Sequence, residues 1–169
     1  EADRFGINTL AKAGFDVNAM PRFFGRLADE YRYASTPPPM LLTHPLPEDR
    51  ITDSRARARS YTPLKLAPSL DYHLARARIV ARYAGINNDA ALDWFERKLK
   101  KAPKALVPSL EYGQALVYLD SKKLDKAEPI LTKLMNSDPT NLFYLDAISD
   151  LHIEQKKPEI AIKELKSAL

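Results

Sequence analysis

The 169-residue chain has no cysteine, which excludes disulfides, thiolate zinc sites and a cysteine nucleophile. Glycine is scarce, at five residues, and long alternations of Val, Ile and Thr are missing, so a β-rich fold is not expected. No apolar run approaches the ~20 residues of a membrane-spanning helix, and no signal-peptide pattern is present. Charge of neither sign dominates. Lys and Arg number 26 against 22 Asp and Glu, and the difference, 26 − 22 = +4, is spread along the chain. A nucleic-acid-binding protein usually concentrates its basic residues, so no nucleic-acid partner is expected. Arg55, Arg57 and Arg59 would spread over more than half of a helix circumference and read as a solvated face. The chain opens on Glu rather than Met and is expected to be part of something longer.

What the sequence does have is apolar residues, 45% of the chain with eight Tyr, six Phe and one Trp, enough for a core. Their spacing is helical, which predicts an all-α fold. A first helix is expected over 2–13, ended by Gly14. Asp16 or Asn18 can cap a second, in which Met20, Phe23, Phe24, Leu27 and Tyr31 follow the spacing of one buried stripe. Pro21 requires that helix to start close by. Pro37, Pro38 and Pro39 dictate an extended loop that continues through Thr43-His44-Pro45-Leu46-Pro47. Glu48 or Asp49 opens a third helix running to about Tyr61. Residues 1–62 thus form one expected region, and the prolines at 63 and 68 mark a linker to a second, 68–169.

In the second region the pattern repeats. Ala91 is followed by Phe95 and Pro103, Ala127 by Leu131 and Pro139, and Ala161 by Leu165. The alanines lie 127 − 91 = 36 and 161 − 127 = 34 residues apart. A small residue, a large apolar one four later and a proline after the helix, at a period near 34, form the tetratricopeptide signature. The small residue lets two helices approach, the large one fills the groove, and proline ends the unit. About three helix pairs are expected, with turns at 87–89, 121–123 and 155–157. The first helices of such pairs line a concave face, and Tyr112, Leu116, Phe143 and Asp146 hold positions expected on it. They are candidates for protein binding.

The histidines are His44, His73 and His152. His152 takes the position that Tyr118 holds one unit earlier and reads as packing, as does His73. His44 differs, because a proline-fixed loop presents it.

Several blocks in register carry a family resemblance. They are Glu1-Ala2-Asp3-Arg4-Phe5-Gly6-Ile7, Ala13-Gly14-Phe15-Asp16, Met20-Pro21-Arg22-Phe23-Phe24 and Thr43-His44-Pro45-Leu46-Pro47-Glu48-Asp49-Arg50-Ile51. In order and spacing they resemble the BepA branch of the HtpX-related zinc metallopeptidases, and the repeats follow where that branch carries them. The resemblance implies a helical C-terminal piece of a peptidase domain followed by a solenoid. It implies an enzyme of the periplasm whose zinc is bound by two histidines of an HExxH helix and a later Glu. No HExxH occurs here, and the ligand Glu would stand two residues before Glu1. The chain alone is therefore expected to be catalytically inactive and to hold no zinc tightly.

Asp3 matches the family Asp that orients a ligand histidine; read from the residues alone, it complements a helix N-terminus. The resemblance lays the His44 loop over the metal, as a fourth ligand that blocks the water position or as an oxyanion donor. Arg50 is expected to pair with a carboxylate near the site. The implied partners are protein or peptide substrates and outer-membrane assembly proteins. The other functional reading is a scaffold for protein–protein interaction without catalysis.

Overall fold

The computed structural model describes residues 1–31, 47–64 and 66–168, and among them all regular structure is helical. The chain divides into two compact units, Glu1–Ala67 and Pro68–Leu169.

The first unit contains α1 (Ala2–Lys12), α2 (Ala19–Tyr31) and α3 (Pro47–Ala58). Gly14 ends α1 as its position demands. Its φ is +75°, its N–H donates to the Ala11 carbonyl at 3.1 Å, and the next N–H, of Phe15, donates to Leu10 at 2.9 Å. This paired bonding satisfies two carbonyls that the helix end would leave open. The Asp16 carboxylate accepts from the backbone N–H of Asn18 at 3.0 Å and from Arg22 at 2.9 Å, which organises the entry to α2. Pro47 takes the first position of α3, where its missing N–H costs nothing.

The core of this unit is small. Ile7, Val17 and Ala58 are buried, with Leu10, Met20 and Tyr61 packed around them, and Phe24 is buried as well. The expected stripe on α2 is narrower than the spacing suggested. Phe24 is inside, but Phe23 is 59% exposed. Neighbouring residues on a helix diverge by about 100°, and only one of two adjacent phenylalanines can point into so small a core. The side chain of Tyr31 lies outside the described residues.

The second unit consists of α4 (Leu70–Arg82), α5 (Asn88–Leu99), a single 3-10 turn (Lys104–Leu106), α6 (Val107–Asp120), α7 (Leu124–Ser137), α8 (Leu142–Glu154) and α9 (Pro158–Ala168). These are helix pairs, α4 with α5, α6 with α7 and α8 with α9. Ser69, Asn87 and Asn141 cap α4, α5 and α8, each accepting a backbone N–H in the first turn. The turn after α6 and the turn after α8 are the same structure 156 − 122 = 34 residues apart. Lys122 (φ 58°) and Lys156 (φ 61°) take the left-handed conformation, and each turn closes with the same two backbone hydrogen bonds.

Ala91, Ala127 and Ala161 are all buried, and so are Phe95 and Leu131. Gly113 shows how tightly the helices meet. A Cβ at that position would collide with the Phe95 ring, so α5 seats its largest core side chain against bare backbone of α6. Leu165 departs from its counterparts and is 43% exposed, because no described helix covers the outer side of α9. A cleft of about 370 Å³ opens between α7, α8 and α9, lined by apolar Met135, Pro139, Leu145 and Ile160 and by polar Thr140, Lys163, Glu164 and Ser167.

Candidate functional site

In the first unit, two of the expected site residues meet. The Arg50 guanidinium on α3 donates two parallel hydrogen bonds to the Asp3 carboxylate on α1, Nε to Oδ2 at 2.9 Å and Nη2 to Oδ1 at 2.7 Å. Its Cζ lies 4.0 Å from the ring centre of Phe24 on α2. Arg50 thus ties all three helices together. Both partners are partly buried, which strengthens a two-pronged charge pair over an exposed one. The hydrogen bond from Arg50 holds the Asp3 carboxyl below its ordinary pKa, with partial burial pulling the other way, and Asp3 raises Arg50 in return. Beneath them the buried Ser54 hydroxyl donates back to the Arg50 carbonyl at 2.6 Å, fixing that turn of α3.

Asp3 is therefore occupied as a carboxylate by Arg50. His44 lies outside the described residues. Among the described residues no three His, Asp or Glu side chains converge to hold a metal ion.

The second unit places its candidates on the inner helices, but not as expected. Tyr112 and Leu116 were anticipated on the concave surface, and both are fully buried. Phe143 is half-buried, edge-on to Tyr112 with ring centres 5.9 Å apart, and Asp146 is exposed. Two arginines of α4, which no motif marks, reach this face, Arg78 over the Tyr112 ring and Arg82 one turn further on. Arg78 donates through Nε to the Tyr112 hydroxyl at 2.9 Å, pairs with Asp146, and sits 5.6 Å from the Phe143 ring centre. Arg82 forks onto Asp120 at 3.0 and 3.1 Å and reaches Asp150 at 3.3 Å. Burial works to lower both arginines, but their oxygen partners outweigh it, and both are held above the ordinary range. Burial raises the Tyr112 phenol, with Arg78 opposing, and raises Tyr144 to about 12.

A sequence signal for the α6 and α8 side of this arrangement existed. Tyr112 and Asp146 occupy one repeat position and Leu116 and Asp150 another, since 112 + 34 = 146 and 116 + 34 = 150. His152 lies on α8, mostly buried, with Nε2 3.4 Å from Glu164 of α9. His73 lies on α4 edge-on to Tyr72.

Fold and geometry together define an all-helical protein with a tetratricopeptide-like solenoid and, in a separate unit, a carboxylate-clamped arginine. Comparison with known proteins narrows this. No protein-family model matches the chain. A Vibrio cholerae protein whose name includes the words beta-barrel assembly-enhancing protease is 78% identical over 151 residues, 89% of this chain. The beta-barrel assembly-enhancing proteases of Yersinia pestis and of Escherichia coli K12 are 41% and 40% identical, over 100% and 99% of it. The matched stretch is 31%, 35% and 34% of these three proteins, so the chain spans about a third of the length of the curated relatives it matches. It is a BepA-type chain over that span.

Proposed function

We propose that this chain is part of a zinc-dependent endopeptidase of the bacterial envelope that acts in the quality control and assembly of outer-membrane proteins, and that its solenoid receives protein substrates or partners. The observation that carries the reading is the identity of 40% and above to named assembly-enhancing proteases along essentially the whole chain. The solenoid supports the second half, because stacked helix pairs present an inner face suited to holding a polypeptide. In this reading the main zinc ligands lie outside the chain, and the chain alone does not hydrolyse peptide bonds.

The Asp3–Arg50 fork contributes positioning. Arg50 stands six residues after His44 in the sequence, and its fork to Asp3 anchors the first turn of α3 to α1. His44 then has one of two roles, blocking the metal as an extra ligand or stabilising the oxyanion of the tetrahedral intermediate.

The test uses the full-length protein and an unstructured protein substrate. His44→Ala raises proteolysis if His44 is a latch and lowers it if His44 is a donor, and an unchanged rate overturns both roles. Arg50→Lys, which keeps the charge but loses the fork, is expected to alter the proteolytic rate while leaving protein binding by the solenoid intact.

A further inference from the structure

The inner face of the solenoid is closed by the chain's own charges. Arg78 and Arg82 stand one turn apart on α4, and each reaches past α6 to an aspartate of α8 that lies 68 residues on. The two sides of this lattice are unequal. Arg78 is also bonded to the Tyr112 hydroxyl and Arg82 to both oxygens of Asp120, and the two arginines are only 29% and 23% exposed. Asp146 and Asp150 stand further into solvent, at 51% and 44%. The cations are fixed from beneath and the α8 anions are the outer, more movable partners. Beside Arg78 stand the rings of Tyr112 and Phe143.

We propose that this face is a peptide site occupied in the free chain by its own aspartates, and that its external ligand is an extended acidic peptide whose carboxylates replace Asp146 and Asp150 on Arg78 and Arg82. The inference rests on reading the solenoid as a protein-binding module and names its ligand class.

Three arguments favour this ligand. The guanidinium fork matches carboxylates in particular, because it offers two parallel N–H donors. Residues one turn apart on a helix are about 5–6 Å apart at Cβ, and same-face residues of an extended strand repeat at roughly 6.6 Å. Carboxylates at alternate positions of an extended chain therefore match the two arginines. Finally, the half-buried Phe143 ring beside Arg78 offers an apolar contact to a side chain of the same segment. A basic peptide is the less suited ligand, since the aspartates it would seek are already neutralised by arginines fixed between them.

The experiment is fluorescence anisotropy on the 169-residue chain with two labelled peptides, one carrying glutamates at alternate positions between apolar residues and one with lysines in their place. The glutamate peptide is expected to bind the wild type weakly and the nearly isosteric D146N/D150N variant about tenfold more tightly, because the competing self-contact is gone. Binding should be lost in R78Q/R82Q. If that variant melts, R78K/R82K, checked for helicity by circular dichroism, should still weaken binding severalfold. Unchanged or weaker binding by D146N/D150N overturns the proposal. So does a lysine peptide that binds the wild type and is lost in D146N/D150N.

A urea-denatured β-barrel protein diluted onto the chain separates this failure from that of the broader reading. If the chain captures it equally in wild type, D146N/D150N and R78K/R82K, the solenoid binds protein through another surface and this inference falls alone. If neither probe binds any variant, both fall.

Discussion

In residues 68–169 each helix packs against neighbours built on the same pattern, and buried side chains from Leu74 to Leu151 run together into one core. Among the described residues of 1–67 the buried set shrinks to Ile7, Val17, Pro21, Phe24, Ala58 and the small Ser54, and three helices converge on one guanidinium. Repetition lets a unit gain apolar contact with every added pair. Where that gain is missing, a polar clamp carries a larger share of the structure. The two units should therefore respond to different insults.

The largest expected effect lies in the solenoid. Phe95→Ala empties the space between α5 and α6 against Gly113 and should cost about 3–5 kcal/mol. Thermal unfolding followed by circular dichroism should show the transition of residues 68–169 moving down while that of residues 1–67 stays in place. Equal movement of both would erase the contrast between the units.

A smaller effect is expected in the first unit. Asp3→Asn should destabilise it by about 1 kcal/mol, after allowance for solvent screening of a partly exposed pair. The same clamp makes the unit acid-sensitive. The folded pKa of Asp3 is lowered, so its contribution is complete above the unfolded value of about 4 and disappears as pH falls through the folded value. An acid titration of stability should show that loss in the wild type and a flatter curve in Asp3→Asn. Parallel curves would mean that the fork contributes nothing to folding.

The smallest effect sharpens the same point. Arg57 bonds Asp53 at 2.8 Å one turn away on α3, with both side chains largely in water. Arg57→Ala should leave the melting curve unmoved, because an exposed pair within one helix trades protein contact for hydration. A shift as large as that of Asp3→Asn would show that exposure does not separate the two pairs.

The sequence was most informative where structure depends on local spacing. Gly14, the 87–89 turn and the alanines at 91, 127 and 161 announce a helix end, a break between helices and three close approaches, because each acts within a few residues of itself. Phe23 misled because a stripe drawn from apolar spacing is wider than the core available to receive it. Tyr112 and Leu116 were found on the right helix, but both sink into the core that α6 shares with α4 and α8, and packing between helices distant in sequence leaves no trace in a residue's own neighbourhood. The Asp3–Arg50 contact joins positions 47 apart. Spacing alone could not have joined them; the separate motif blocks marked both as site residues, and only the structure joins them to each other.

The arginines of α4 also bear on how the solenoid comes apart. A stack in which each pair touches only its neighbours behaves as a one-dimensional chain and can unzip from either end. Arg78 and Arg82 skip a unit, so the first pair is coupled to the third as well as to the second. Loosening α8 therefore also releases ion-pair partners on α4, a link between the first and third pairs that nearest-neighbour packing alone does not provide.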